Sequence, residues 1–305
     1  MAAAAAAGPS VVYGFLGLGI MGRPMALNVL SKVPGASLLV WNRSAAVAEA
    51  FARDSGGRAR AVATPREAVA GASVTFAMLA DPAAARAVAL GPGGACEGVA
   101  AGRAYVDMST VDAATARAVG EGVRAAGGLF LEAPVSGSKQ PAIDGQLVVL
   151  AAGDAAALDA AAPALAAMGK KTFFYGPEVG KAATMKLVIN MTMETMLVAL
   201  SEGITLCSAS GLAPSDLLAA IDLGAIASPL VRGKGPLMAA SGGPYAPAFP
   251  LKHAAKDLRL ALAAAAEAGV QLPVAAAASG RFEAALASGR GDEDMAAVHG
   301  AAAKS

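Results

Sequence analysis

Lys186 and Asn190 stand four apart in an otherwise apolar stretch, Gly180-Lys181-Ala182-Ala183-Thr184-Met185-Lys186-Leu187-Val188-Ile189-Asn190, so both leave one face of a helix. Burying an unpaired ammonium is costly, and a lysine kept beside a cleft usually has a task. It can polarise a carbonyl and give a proton to the oxygen as charge develops there, while the Asn190 amide holds the lysine or the substrate. The plainer reading of Lys186 is a stem that snorkels from a helix end to water.

A proton donor of this kind needs a reductant, and Gly14-Phe15-Leu16-Gly17-Leu18-Gly19-Ile20-Met21-Gly22 offers a place for one. Gly17, Gly19 and Gly22 satisfy G-x-G-x-x-G directly after an apolar run and at the opening of a helical one. The glycines allow a tight turn and close backbone approach. With Leu18, Ile20 and Met21 they bring backbone N–H groups and a helix N-terminus to a pyrophosphate. Gly14, inside the strand, is expected to admit a neighbouring backbone closely. About twenty residues on, an NAD site would place an acid to bind the ribose 2′-OH. Trp41-Asn42-Arg43-Ser44 has none; Arg43 offers a planar fork to a 2′-phosphate and Asn42 and Ser44 offer further donors, so NADPH is the expected cofactor. A solvated arginine beside a helix-capping serine is the competing reading.

Other strand ends extend the cleft. Met78 and Leu79 can pack on adenine or ribose, and Thr110 can reach the nicotinamide side, although Ser109, Thr110 or Asp112 can equally cap the next helix. Glu132-Ala133-Pro134-Val135-Ser136-Gly137-Ser138-Lys139 is dense in small residues, so Ser136, Gly137 and Ser138 can form a backbone nest for a substrate carboxylate, or simply a turn. Near the C-terminus Lys252, Lys256 and Arg259 make one basic helix face that can reach a cofactor, with Asp257 placed to orient a polar neighbour; a solvated face fits equally. His253 and His299 lack partners at metal-ligand spacing, and no metal is expected. Asp292-Glu293-Asp294 reads as a solvated run.

The elements that must position these groups follow from periodicity. Apolar runs at Val11–Leu16, Ser37–Trp41, Val74–Met78, Ala104–Asp107, Leu129–Glu132 and Gln146–Ala151 alternate with helical segments, which predicts an α/β Rossmann domain with a doubly wound, mostly parallel sheet over 11–178. Past Gly176 the alternation stops, and an all-helical domain over 179–305 is predicted to carry substrate and oligomer contacts. Its first helix, about Lys181 to Ala209, is apolar on most faces and reads as a buried central helix.

The chain of 305 residues is 56% hydrophobic, with Lys+Arg 24 against Asp+Glu 23 and a net charge of +1. That suits two domains and gives no basic stripe for nucleic acid or an anionic membrane. The mean hydropathy of +0.54 comes largely from alanine, and Lys186, Asn190 and Glu194 interrupt the most apolar stretch, so no membrane span is expected. Cys96 and Cys207 lack C-x-x-C spacing and are expected to stay reduced; the alanine-rich Met1–Ser10 lacks the basic region of a secretory signal and reads as a disordered leader, making the cytoplasm the expected address.

Taken together, these segments resemble the β-hydroxyacid dehydrogenase family, most closely its plant-type glyoxylate and succinic semialdehyde reductases. The resemblance runs through Gly14 to Gly22, Trp41-Asn42-Arg43, Asp107 to Asp112, Pro134 to Lys139, Asp144-Gly145-Gln146-Leu147, Met185-Lys186-Leu187 and Leu223-Gly224-Ala225. It continues in Lys234-Gly235-Pro236, Phe249 to His253, Lys256-Asp257 and Pro273 to Ala278. It implies NADPH in the glycine-rich domain, Ser136, Gly137 and Ser138 around a small aldehyde acid, Lys186 as the catalytic residue with Asn190 nearby, Phe249 and Asp257 lining the site, and Lys256 on the cofactor. It also implies a homo-oligomer, dimer or tetramer, built around the long helix. Ala182 and Thr184 depart from the pattern, which leaves the local geometry at the start of that helix open; Ala254-Ala255 after His253 also depart, which removes polar contacts but keeps Lys256 and Asp257 in register. Other readings with the same architecture are a 3-hydroxyisobutyrate or tartronate semialdehyde enzyme, an imine reductase, and a catalytically retired dinucleotide-binding interaction module; retention of Lys186 weighs against the last two.

Overall fold

The computed structural model describes residues 11–240 and 243–302, so the expected leader at Met1–Ser10 lies outside the described residues. The chain packs as two compact units, Met1–Lys186 and Leu187–Ser305.

The first unit carries the strands β1 (Val11–Leu16), β2 (Ala36–Trp41), β3 (Ala59–Ala61), β4 (Val74–Ala77), β5 (Ala104–Asp107), β6 (Leu129–Glu132), β7 (Val135–Ser136), β8 (Leu147–Gly153) and β9 (Gly169–Phe174). Between them run α1 (Gly22–Lys32), α2 (Ala45–Asp54), α3 (Pro65–Ala70), α4 (Pro82–Leu90), α5 (Ala113–Ala125), α6 (Lys139–Asp144) and α7 (Ala155–Met168). The sheet order is β3-β2-β1-β4-β5-β6-β8-β7, with β9 on β8. From β3 to β6 every pairing is parallel, then β8 runs antiparallel to β6 and β7. Strands buried on both sides read as continuous apolar runs. One face packs Phe15, Val40, Phe76, Val106 and Leu131 against α1, α2 and α7; the other packs Leu16, Tyr105 and Phe130 against α3, α4 and α5. The strand order reverses between β1 and β4, the switch point where open α/β sheets bind ligands beyond their strand ends.

Gly14 does lie in β1, but a side chain there would meet the Thr75 side chain of β4, so the close neighbour is a side chain rather than the expected backbone.

The helix α8 (Lys181–Ala209) starts in the first unit and continues in the second, followed by α9 (Pro214–Asp222), α10 (Pro229–Ala239), α11 (Leu251–Glu267), α12 (Pro273–Ala287) and α13 (His299–Ala302). The core of this second unit gathers Leu197, Ile204, Met238, Leu251, Leu258, Phe282 and Met295 to Val298. The long helix is not buried all round as its composition suggests. Met185, Val188, Met196 and Leu206 are 36%, 47%, 44% and 68% exposed. Three, eight and ten residues apart, they fall on one side of the helix. By length and composition α8 could cross a bilayer. Lys186, Asn190, Glu194 and Ser201 are nonetheless buried along it.

Candidate active site

The glycine-rich turn sits at the switch point. Gly17 has φ +94, and a Cβ there would collide with the Met78 carbonyl at the end of β4; one at Gly22 would collide with the Gly17 carbonyl. A Cβ at Gly19 would meet nothing within 4 Å, which leaves that edge of the turn open to an incoming phosphate. Ile20 and Met21 complete the turn into α1. Gly17 N–H donates to the Trp41 carbonyl at 2.9 Å, and Leu18 N–H donates to Asn42 Oδ1 at 3.0 Å. Asn42 also donates through Nδ2 to the Ser44 carbonyl at 3.2 Å. The Asn42 amide thus ties the end of β2 to the turn, and its NH2 has a second hydrogen for the phosphate contact expected of it. Ser44 stands at the N-cap of α2 without a side-chain capping bond. Arg43 is exposed and makes no hydrogen bond or ion pair among the described residues, so its fork is open to a 2′-phosphate. A dinucleotide fits these residues: an open edge at Gly19, a helix N-terminus, and no carboxylate at 42–44.

Met78 and Leu79 are half-buried where β4 ends, and Leu79 N–H donates to Ser109 Oγ at 2.9 Å. The cap of α5 is Asp112, which accepts from Thr115 N–H at 2.7 Å. Thr110 is half-buried just before it and is not the cap.

Ser136 ends β7 and Ser138 stands at the N-cap of α6, with Gly137 at φ +126 between them. A nest alternates right- and left-handed helical backbone. Here Ser136 is in a strand and Ser138 is extended, at φ −101 and ψ −160, so the expected nest is not formed. What the turn presents instead are two half-buried hydroxyls that no other described residue engages.

Glu132 received no role from the sequence. Buried at the end of β6, it accepts from Gly180 N–H at 2.7 Å, Ala182 N–H at 3.0 Å and Ala183 N–H at 3.3 Å, capping α8 from within the first unit. Burial pushes its carboxyl up, the three backbone bonds pull it down, and the charge of Asp107 raises it further. Asp107 lies opposite it in the β5–β6 register. Burial drives Asp107 up to about 6, against the Ser109 hydrogen bonds that lower it. The departures at the helix start are accommodated: Ala182 is fully buried with its N–H on Glu132, and exposed Thr184 donates through Oγ1 to the Gly180 carbonyl at 2.8 Å. Lys186 follows, 6% exposed.

Within the second unit, Asn190 Nδ2 donates to Asp257 Oδ2 at 2.6 Å, both residues being buried. Lys256 Nζ lies 2.8 Å from Asp257 Oδ1, a charge contact rather than an aligned hydrogen bond. Phe249 is half-buried, its ring 6.4 Å from that of His253. The basic face of α11 is dispersed among acids, with Lys252 on Asp292 at 2.5 Å and Arg259 on Glu283. The run 292–294 is not solvated throughout. Asp294 is 1% exposed and accepts from Lys234 at 2.7 Å, Ala248 N–H at 2.9 Å, Phe249 N–H at 3.1 Å and Ala296 N–H at 3.1 Å, so it fixes the segment bearing Phe249.

A doubly wound sheet with an open glycine turn at its switch point, joined in sequence to a helical half headed by a buried lysine, defines a nucleotide-dependent dehydrogenase. Residues 12–176 match the family model described as the NAD binding domain of 6-phosphogluconate dehydrogenase, and residues 180–301 that of the NAD-binding region of NADP-dependent 3-hydroxyisobutyrate dehydrogenase. Glyoxylate/succinic semialdehyde reductase 1 of Arabidopsis thaliana is 47% identical over 285 residues, 93% of this chain and 96% of that one. The cytokine-like nuclear factor N-PAC of Homo sapiens is 41% identical over 94% of this chain, which spans 50% of that longer protein. A 3-hydroxyisobutyrate dehydrogenase from Salmonella typhimurium shares the fold, with a TM-score of 0.86 at 24% identity over 95% of this chain and 99% of that one. The chain belongs to the β-hydroxyacid dehydrogenase family. It is an oxidoreductase whose cofactor is NADP(H).

Proposed function

We propose that the protein reduces small aldehyde acids with NADPH, glyoxylate to glycolate and succinic semialdehyde to 4-hydroxybutyrate. The observation that carries the reading is Lys186, 6% exposed at the head of an apolar helix whose first turn is anchored to the strand leading into Ser136–Ser138. Bound NADPH supplies the hydride. Lys186 donates the proton to the carbonyl oxygen, so the carbon gains the hydride and the oxygen the proton. The Ser136 and Ser138 hydroxyls receive the substrate carboxylate, with Gly137 allowing the turn. Gly17 to Gly22 receive the pyrophosphate, Arg43 and Ser44 the 2′-phosphate, and Met78, Leu79 and Thr110 flank the dinucleotide. The family resemblance supplies the remaining roles: Asn190 beside the lysine, Phe249 and Asp257 at the substrate, Lys256 at the cofactor. The choice of glyoxylate and succinic semialdehyde rests on the similarity to the Arabidopsis reductase.

The exposed stripe of Met185, Val188, Met196 and Leu206 supports a homo-oligomer, and two free cysteines fit a cytoplasmic address. Domain limits of 11–178 and 179–305 accompany this reading.

NADPH oxidation is measured with glyoxylate, succinic, methylmalonate and tartronate semialdehydes, and uncharged aldehydes of matched length. The first two should give the highest kcat/KM, and equal use of uncharged aldehydes would remove carboxylate recognition. Dominance of another semialdehyde would move the assignment toward hydroxyisobutyrate or tartronate chemistry. N-PAC is named as a nuclear factor rather than a reductase, which keeps one competitor in play, a dinucleotide-binding interaction module without turnover; that reading predicts NADPH binding with no substrate reduced.

A further inference from the structure

The first N–H groups of a helix have no partner inside it, and they bind negative charge well. At the head of α8 one carboxylate satisfies three of them: Glu132 accepts from Gly180, Ala182 and Ala183. Its strand, β6, runs directly through Ala133 and Pro134 into β7 and the Ser136–Ser138 turn. Lys186 lies only three residues beyond Ala183, less than one turn on. One buried side chain thus ties the segment that offers the hydroxyls to the helix that offers the ammonium.

We propose that Glu132 is a positioning residue for the reduction, setting where Lys186 stands relative to Ser136 and Ser138. This rests on the reading of Lys186 as the proton donor. A misplacement of about 1 Å in such a group costs on the order of a hundredfold in rate. A generic core carboxylate would affect stability alone; a positioning one acts on turnover through the lysine. Glutamine keeps the volume and one carbonyl oxygen for Gly180 and Ala182 but turns an NH2 toward the Ala183 N–H. Alanine removes all three acceptors.

The test is a double-mutant cycle on the full chain with Glu132→Gln, Glu132→Ala and Lys186→Met, reading kcat, substrate KM and NADPH Kd, with amide exchange at 180–183 as the structural readout. Glu132→Ala should speed exchange there and lower kcat by about 10- to 100-fold, Glu132→Gln less, with NADPH Kd changed under about twofold. In the Lys186→Met background neither substitution should lower kcat further. The proposal is overturned if kcat is unchanged while exchange rises, if the two losses multiply, or if NADPH Kd rises in step with the loss. Should Glu132→Ala fail to fold, Glu132→Gln carries the same comparison. A Lys186→Met single variant with full kcat would bring down the lysine reading itself, and this inference with it, on a measurement independent of Glu132.

Discussion

The amide of Asn190 on α8 and the carboxylate of Asp257 on α11 meet at 2.6 Å, both buried, with Lys256 Nζ against the other carboxylate oxygen at 2.8 Å. Removing the acceptor takes this hydrogen bond from a buried amide and this charge contact from a nearby ammonium, a cost of about 1–3 kcal/mol for the amide bond alone. Asp257→Ala should therefore lose on the order of 2 kcal/mol in urea unfolding and at least about tenfold in kcat. Unchanged stability would show that the pair is dispensable. Lost stability with full kcat would make it purely structural.

Arg43 is the side chain on which cofactor choice is expected to turn. Charge-assisted hydrogen bonds to a 2′-phosphate are worth roughly 1.5–3 kcal/mol, or about ten- to a hundredfold. Arg43→Ala should lower kcat/KM for NADPH by that factor and leave NADH almost unaffected. A variant with undiminished preference for NADPH would reduce Asn42-Arg43-Ser44 to a connecting loop.

The parts of this fold that could be read from the residues are those where local pattern and tertiary role coincide. Strands β1, β5 and β6 and the limits of α8 are visible because apolar runs end abruptly at glycine, polar or charged residues. The strand β9 was hidden because it pairs on one side only and carries Lys170 and Lys171, and β3 because three residues give no period. Burial was misjudged where partners come from afar. Asp294 looks like one of three solvated acids, yet Lys234, sixty positions away, completes its shell. Glu132 could have been suspected as a carboxylate closing a fully apolar strand, but its three partners lie about fifty residues on. Asn42 reads as a phosphate donor by residue type, and the Leu18 bond adds a second task, holding the turn, that no local pattern announces.

Asp107 gives a signature in stability against pH. Its ordinary value is 3.8, and burial raises it to about 6 in the folded protein. Below about pH 4 the carboxyl is neutral in both states and carries no penalty; as pH rises through about 6, folding must hold a buried charge and stability is lost. Asp107→Asn keeps an oxygen for the Ser109 N–H and cannot ionise. Its advantage over the parent in denaturant midpoint should be near zero at about pH 4 and level off above about pH 7, at up to about 3 kcal/mol for roughly two pH units. A pH-independent difference would mean that the charge at this position costs nothing.

In the proposed reaction Lys186 is the proton donor. Lys186→Met preserves the length and apolar body of the stem, so packing in the apolar helix should survive, while the ammonium that delivers the proton is lost. Removal of a positioned general acid costs on the order of 10²–10⁴ in turnover. NADPH binding depends in this reading on Gly17–Gly22 and Arg43, and its Kd should change little. Because the acid acts as charge develops on oxygen, the loss should fall on kcat and kcat/KM together rather than on KM alone. Circular dichroism and NADPH titration establish the folded, loaded state, and single-turnover oxidation of bound NADPH with glyoxylate then reads the chemical step. Slow single turnover with intact binding is the expected outcome. A rate near that of the parent would assign the proton to another group, and with Asn190 and Asp257 already engaged with each other, the search would move to the hydroxyls of Ser136 and Ser138.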